Sequence, residues 1–262
     1  MDLNLKGKSA LVCGSTQGIG RAIAEELANL GCSVTVCARN EAKLNEVKSS
    51  LFHGSGQNHQ ILIADFAKPN ELKTTIDSHL ALGNQYHILI NNTGGPPGGQ
   101  AIDAELEAFR IAFNQHLICN QILAQACVPA MKEAEFGRII NIISTSVKMP
   151  IPGLGVSNTI RGAVANWSKT LAYELGPFGI TVNNVLPGAT ATQRLSSIIE
   201  NKASKTGKTI VEMEEEMMSE IPARRFADAS EVAAAAAFLA SPAASYINGV
   251  NIPVDGGRTG CL

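Results

Sequence analysis

The stretch Ser9-Ala10-Leu11-Val12-Cys13-Gly14-Ser15-Thr16-Gln17-Gly18-Ile19-Gly20-Arg21 decides the fold. Residues 9–13 form an apolar run too short for a helix and of the kind found in strands buried on both faces. A helical period takes over at Gly20 and continues to Leu30, so strand, glycine-rich turn and helix follow one another without a spacer. In such a turn the backbone N–H groups and the helix N-terminus favour a pyrophosphate. Glycines stand where a Cβ would block approach or helix packing. The spacing is G-x-x-x-G-x-G, over Gly14, Gly18 and Gly20, with Ser15, Thr16, Gln17 and Ile19 between them. A glycine-rich match alone is weak; here it has the strand before it and the helix after it that the motif needs. The bland alternative is a tight strand-to-helix turn with no ligand.

The same rhythm extends along the chain. Short apolar runs over 9–13, 33–37, 60–64, 87–90, 138–143, 180–186 and 250–254 alternate with helical candidates over 20–30, 41–51, 71–80, 104–131, 161–175 and 230–239. Strict alternation predicts right-handed βαβ crossovers and an α/β fold: a Rossmann-type doubly wound parallel sheet of about seven strands with helices on both faces. No low-complexity linker divides residues 1–262, so one domain is expected. The Ala-rich tract 232–237 continues a helix capped by Ser230 with Glu231 and reads as close helix packing. Residues 193–220 break the rhythm as a long polar connection with an acidic, Met-rich stretch, and read as a substrate-covering segment.

Composition narrows the function classes. The 262 residues are 45% hydrophobic and 17% charged, which excludes disorder of the whole chain. Twenty-one basic against twenty-three acidic residues leave a net charge of −2, with no electrostatic footprint for nucleic acid and no polybasic membrane patch. Residues 1–8 lack the apolar core of a leader, and no apolar run approaches the roughly 18 residues of a membrane span, so a cytoplasmic protein is expected. Cys13, Cys32, Cys37, Cys119, Cys127 and Cys261 form no C-x-x-C pair and no metal spacing with histidine. Buried reduced thiols and no metal site are the expectation.

At the tip of the second strand, Val36-Cys37-Ala38-Arg39-Asn40 offers no carboxylate for a ribose 2′-hydroxyl and an arginine suited to a 2′-phosphate. NADP(H) is therefore favoured over NAD(H). The alternative for Arg39 is a solvated surface residue.

The glycine spacing, Asn91-Asn92-Thr93-Gly94 after the fourth strand, Ser144 after the fifth, Pro187-Gly188-Ala189-Thr190-Ala191-Thr192 after the sixth, and the closing Asn248-Gly249 and Val254-Asp255-Gly256-Gly257 together resemble the short-chain dehydrogenase/reductase family. The resemblance covers nearly the whole chain and is closest to the 3-oxoacyl-acyl-carrier-protein reductases. It implies cofactor contacts at Gly14, Thr16, Ile19 and Arg39 for the phosphates and adenosine ribose, Asp65 for the adenine, and Asn91 and Gly94 on the adenosine side. Pro187, Gly188, Thr190 and Thr192 would border the nicotinamide and pyrophosphate. Asp65 also reads as a solvated turn residue. The family further implies a homotetramer built on the helices 104–131 and 161–175 and the last strand, to which the tail 258–262 can contribute.

Members of this family reduce carbonyls with a Tyr-x-x-x-Lys pair, a Ser thirteen residues before the Tyr and an Asn on the preceding long helix. Anchoring on residues 137–144 and 166–175 puts Ser157 at the Tyr position and Arg161 at the Lys position, and residues 126–131 put His116 at the Asn position. Only Ser144 keeps the family identity. Tyr86, Tyr173 and Tyr246 lack a Lys four residues on. An alkyl hydroxyl is a far weaker acid than a phenol, and Arg cannot relay a proton, so Ser157 is no direct substitute for tyrosine. The expected mechanism has Ser144 and Ser157 hydrogen-bonding the carbonyl oxygen of a small-molecule carbonyl or alcohol substrate. Arg161 holds the nicotinamide ribose or the oxyanion, and His116 supplies the proton directly or through water. His116 has a bland alternative, a ring satisfied in the helix packing. Against the NADP(H)-dependent oxidoreductase stand an NADP(H)-binding paralogue without turnover and a non-redox lyase or isomerase using His116 as base.

Overall fold

The computed structural model describes residues 1–261, so the last residue of the tail lies outside the described residues. β1 (Ser9–Cys13), β2 (Ser33–Ala38), β3 (Gln60–Ile63), β4 (Ile88–Asn91), β5 (Gly137–Ile142), β6 (Ile180–Pro187) and β7 (Asn251–Val254) form a seven-stranded sheet in the order β3-β2-β1-β4-β5-β6-β7. Every pairing is parallel. The seven runs read from the sequence are these seven strands. The order reverses between β1 and β4, and in open parallel sheets the crevice at such a point, off the C-terminal strand ends, is where ligands bind.

The period-2 alternation of the strands divides the core into two layers. Ala10, Val12, Val34, Val36, Ile88, Ile90 and Ile140 pack with α1 (Gly18–Asn29), α2 (Glu41–Ser50) and α9 (Ala229–Ala240). Leu11, Cys13, Cys37, Leu89 and Ile139 face α3 (Pro69–Ala81), α5 (Cys119–Glu133) and α6 (Gly155–Leu175). In α9 the small side chains of Ala233, Ala236 and Ala237 are buried, as close packing requires, although its cap is Asp228, in a capping box with Glu231, and not Ser230.

Two segments differ from the sequence expectation. The helix expected over 104–131 is α4 (Leu106–Phe113), a π-helical turn over Asn114–Ile118 and then α5. The connection 193–220 is helical: α7 (Gln193–Thr206) and α8 (Ile210–Ser219), joined at Gly207 with φ +70°. Leu195, Ile199 and Ala203 bury one narrow stripe of α7 against Met213 of α8, while Ile210 and Val211 at the start of α8 are exposed. Five cysteines are buried and reduced as expected, whereas Cys261 is exposed. Among the described residues there is no cluster able to hold a metal and no helix long and apolar enough to cross a membrane.

A buried amide ladder crosses the sheet beneath the crevice. Asn91 Nδ2 donates to Asn141 Oδ1 at 2.8 Å, Asn141 Nδ2 to Asn184 Oδ1 at 2.9 Å, and Asn184 Nδ2 to Asn251 Oδ1 at 2.7 Å. The residues are register partners on β4, β5, β6 and β7, so the ladder follows from strand alignment. Each link satisfies groups that would each cost about 1–3 kcal/mol if buried without a partner. Asn141→Ala should strand the amides on either side of it and lower the unfolding free energy by about 2–5 kcal/mol, read from urea denaturation. An unchanged urea midpoint would show that the ladder contributes nothing.

Candidate functional site at the sheet switch point

The glycine turn is built by close approach. Gly14 has φ +60°, and a Cβ there would lie 2.5 Å from the Asn92 carbonyl oxygen; a Cβ at Gly20 would lie 2.2 Å from the Gly14 oxygen. Asn92 Nδ2 donates to the carbonyls of Cys13 and Gly14, both at 3.2 Å, locking the turn after β1 to the loop after β4. Ser15 is fully buried, and its Oγ accepts from Cys37 N–H at 2.9 Å. Its side chain therefore ties the turn to β2 and does not face the crevice. Gly18, at φ +56°, turns toward Thr192, whose Cγ2 would be 3.2 Å from a Cβ there. Gln17 precedes α1 without a side-chain capping bond, and no acidic residue lies in the first turn, leaving the helix N-terminus available to an anion. Thr16 and Ile19 are partly exposed beside it.

The residues present fit a dinucleotide. A cradle that Cβ atoms would fill meets an uncapped helix N-terminus, and Arg39 stands exposed at the tip of β2. Asn40, next to it, caps α2 by accepting from Lys43 N–H at 3.0 Å. Asp65 Oδ1 accepts from Ala67 N–H at 2.9 Å, so one carboxylate oxygen shapes the turn after β3. Asn91 commits its Nδ2 to the ladder and keeps a buried Oδ1 without a partner among the described residues. Gly94 is exposed, with open space where its Cβ would be.

Across the crevice, Pro187 ends β6 and Gly188 packs on Asp255, whose Cα would be 2.7 Å from a Cβ at Gly188. Thr190 Oγ1 donates to the Gly188 carbonyl, and Thr192 Oγ1 donates to that of Thr190, both at 3.2 Å. Thr192 also caps α7. Gly256 and Gly257, by contrast, pack on Ile221, Pro222 and Ala223 after α8 and so support the covering segment.

The catalytic candidates converge at the C-terminal ends of β4 and β5. Ser144 follows β5 and its Oγ accepts from Ser146 N–H at 3.1 Å. Ser157 and Arg161, one helical turn apart on α6, share a face and are each 8% exposed. Arg161 Nη1 donates to the Ile142 carbonyl at 3.1 Å; burial, then the Arg194 charge, push its pKa down to about 10.

His116 sits in the π-helical turn, a feature frequent at functional sites, and is 1% exposed. Its Nδ1 is 2.7 Å from Thr93 Oγ1, and its Nε2 has no partner among the described residues. Burial, followed by the charges of Arg161 and Arg194, outweighs the Gly94 carbonyl and holds His116 at about 3. The ring is therefore held neutral at physiological pH, against the standing imidazolium acid that the ordinary histidine pKa suggests.

Sequence reasoning missed three residues here. Asn92 and Thr93 lay inside a quoted motif but had no assigned role, and Arg194 lay in a segment read only as a covering element. Arg194 Nη1 donates to the Gly95 carbonyl at 3.2 Å and Nη2 to that of Pro96 at 3.1 Å, bridging α7 to the loop after β4. Among the described residues, no carboxylate forms an ion pair with Arg39, Arg161 or Arg194.

Comparison with known proteins agrees with this fold. Residues 14–259 match the family model described as enoyl-(acyl carrier protein) reductase. The chain is 33% identical over 251 residues to the NADPH-dependent reductase BacG of Bacillus subtilis, covering 95% of this chain and 97% of that one. It is likewise 33% identical over 253 residues to the 3-oxoacyl-[acyl-carrier-protein] reductase FabG of Haemophilus influenzae, with 97% and 98% covered. Among solved structures, L-sorbose reductase from Gluconobacter frateurii, complexed with NADPH and L-sorbose, superposes with a TM-score of 0.93 at 30% identity over 100% of both chains.

The depressed His116 pKa has a stability consequence. The unfolded chain binds a proton at this residue below about pH 6.5, whereas the folded chain does so only near 3. Stability is thus complete above the unfolded pKa and is lost as the pH falls toward the folded one. His116→Asn should remove up to about 1.4 kcal/mol per pH unit from the acid-side slope between pH 4 and 6, measured by denaturant titration at several pH values. Parallel slopes for the two proteins would contradict a neutral buried ring.

Proposed function

The chain belongs to the short-chain dehydrogenase/reductase family, and from that premise we propose that it is an NADP(H)-dependent reductase acting on a carbonyl/alcohol pair through an altered proton relay. Its class is that of the NAD(P)-dependent oxidoreductases. The finer reading is supported by Arg39, unpaired at the β2 tip where a 2′-phosphate would lie, and by NADPH in the descriptions of BacG and of the L-sorbose reductase complex. Bound NADPH supplies hydride to a carbonyl carbon.

The chain's own residues then have to orient the carbonyl, hold the oxyanion and deliver a proton. Ser144 and Ser157 donate hydrogen bonds to the oxygen, and the fixed positive charge of Arg161 favours the oxyanion that develops there. His116 acts without becoming imidazolium: Nε2–H passes to the oxyanion while the Thr93 hydroxyl proton passes to Nδ1, and solvent refills Thr93, which is partly exposed. The proton count balances, one reaching the product oxygen and one entering from water. The observation that carries turnover over mere binding is the buried Nε2 of His116, which no group among the described residues satisfies.

The replacement of the family's Tyr and Lys by Ser157 and Arg161 favours the competing reading, an NADP(H)-binding paralogue. Assembly as a homotetramer is supported by large apolar residues left exposed on α4 and α6, including Leu106, Ile111, Phe113 and Tyr173.

Arg39→Ala should weaken NADPH binding about 10- to 100-fold and leave NADH within about threefold, by fluorescence titration, as expected for loss of a charge-assisted phosphate contact. Equal effects on both cofactors would remove the 2′-phosphate role. His116→Ala should lower kcat about 10²- to 10⁴-fold with little change in NADPH affinity, and Thr93→Val should reproduce much of that loss. An unchanged kcat and pH profile in His116→Ala would sink the relay. NADPH binding without turnover across ketones, 3-oxoacyl thioesters and quinones would instead establish the binding paralogue.

A further inference from the structure

We propose that the substrate is an oxo acid whose carboxylate is gripped by Arg194 from the covering helix α7 while its carbonyl oxygen lies toward Arg161 and His116. The inference rests on the reductase reading and names the substrate class for that same site. It starts from an imbalance of charge. Arg161 and Arg194 reach the crevice from α6 and α7, and the Arg194 charge is felt at both Arg161 and His116. Neither guanidinium has a carboxylate partner among the described residues. Arg161 is engaged by one backbone carbonyl and Arg194 by two. A guanidinium carries five N–H donors, so both retain capacity for an anion.

An arginine meeting only neutral carbonyls is held in place without being neutralised. A carboxylate is the planar, bidentate partner that such a fork recognises. The third observation points inward as well. His116, almost completely buried in the same cluster, leaves Nε2 without a partner among the described residues, and a ligand oxygen is the group that would pair with it. A molecule with a carbonyl oxygen near a carboxylate supplies both that oxygen and the anion.

The position of Arg194 adds a positioning role. It follows Thr192, the cap of α7, by two residues and spans the crevice to Gly95 and Pro96. The Cβ of any residue at position 95 would lie 2.7 Å from Arg194 Nη2, so Gly95 leaves the space in which the guanidinium lies. A carboxylate on Arg194 would draw the covering segment, the loop after β4 and the floor at Arg161 onto one ligand, sheltering the reacting carbon from water.

The test uses the whole protein saturated with NADP⁺. Isothermal titration calorimetry compares straight-chain and aromatic 2-oxo and 3-oxo acids with their methyl esters. At least one acid should bind about tenfold or more tightly than its ester, and Arg194→Gln should abolish that preference while changing NADP⁺ affinity less than about threefold. Arg194→Lys should restore part of the preference, because charge is retained and bidentate geometry is lost. The proposal is overturned if no acid outcompetes its ester. It is equally overturned if Arg194→Gln weakens NADP⁺ by the factor expected for the acid, which would assign this guanidinium to the pyrophosphate. Acid binding without NADPH oxidation would leave the recognition standing and defeat the reductase reading. Reduction of neutral ketones with no acid preference would do the reverse.

Discussion

The site depends on the approach between Gly14 and Asn92. Gly14 lies so close to Asn92 that no side chain fits between them, and the Asn92 amide closes the gap by donating to two carbonyls of the turn. These residues follow β1 and β4, the neighbouring strands at which the sheet order reverses. The contact therefore fixes the two walls of the crevice relative to one another. Gly20 packs its α-carbon on the Gly14 carbonyl, aiming α1 at the crevice, and Thr93 follows Asn92 directly, which delivers its hydroxyl to His116. One backbone approach thus sets both the dinucleotide cradle and the start of the proposed relay. A methyl group at position 14 would displace both.

The fold was legible because it is written repeatedly. Seven short apolar strands recur in one parallel sheet, and α1, α2, α3, α5, α6 and α9 each present a stripe to one of two core layers, so the pattern survives errors of a residue or two at the boundaries. The features that sequence concealed are those without a repeating mark. A π-turn differs from an α-turn by one hydrogen-bond step, and Asn114–Ile118 contains no glycine or proline to announce it. The helix α7 buries a stripe only one residue wide, and its polar remainder reads as loop. A capping box at Thr209 and Glu212 did mark the start of α8, and that local signal was available in the sequence.

Site residues were legible to the extent that their roles are local. Glycines of the turn and the arginine at the β2 tip follow from what lies beside them in the chain. Ser15 reads as a ligand contact by position, and its hydroxyl also accepts from the Cys37 N–H of β2, a contact 22 positions away. Asn91 likewise belongs to a ladder whose other members lie on β5, β6 and β7, far along the sequence. Arg194 meets Gly95 across 99 positions, and no spacing rule announces such a contact.

The electrostatics of the site follow from the arginine at position 161, where the family resemblance implies a lysine. A lysine ammonium can lose its proton when buried and so join a proton relay, whereas a guanidinium remains charged even when burial pulls it down to about 10. Burial first, and then the fixed charges of Arg161 and Arg194, make a third cation at His116 expensive, and the ring is held neutral. A neutral ring cannot serve as a standing acid, so the proposed relay requires both nitrogens in concert, one taking as the other gives. The Thr93 hydroxyl at Nδ1 and the open Nε2 provide that arrangement. The cations that add to burial in disfavouring the imidazolium also favour an oxyanion, so the same field would stabilise the negative charge of the proposed reduction.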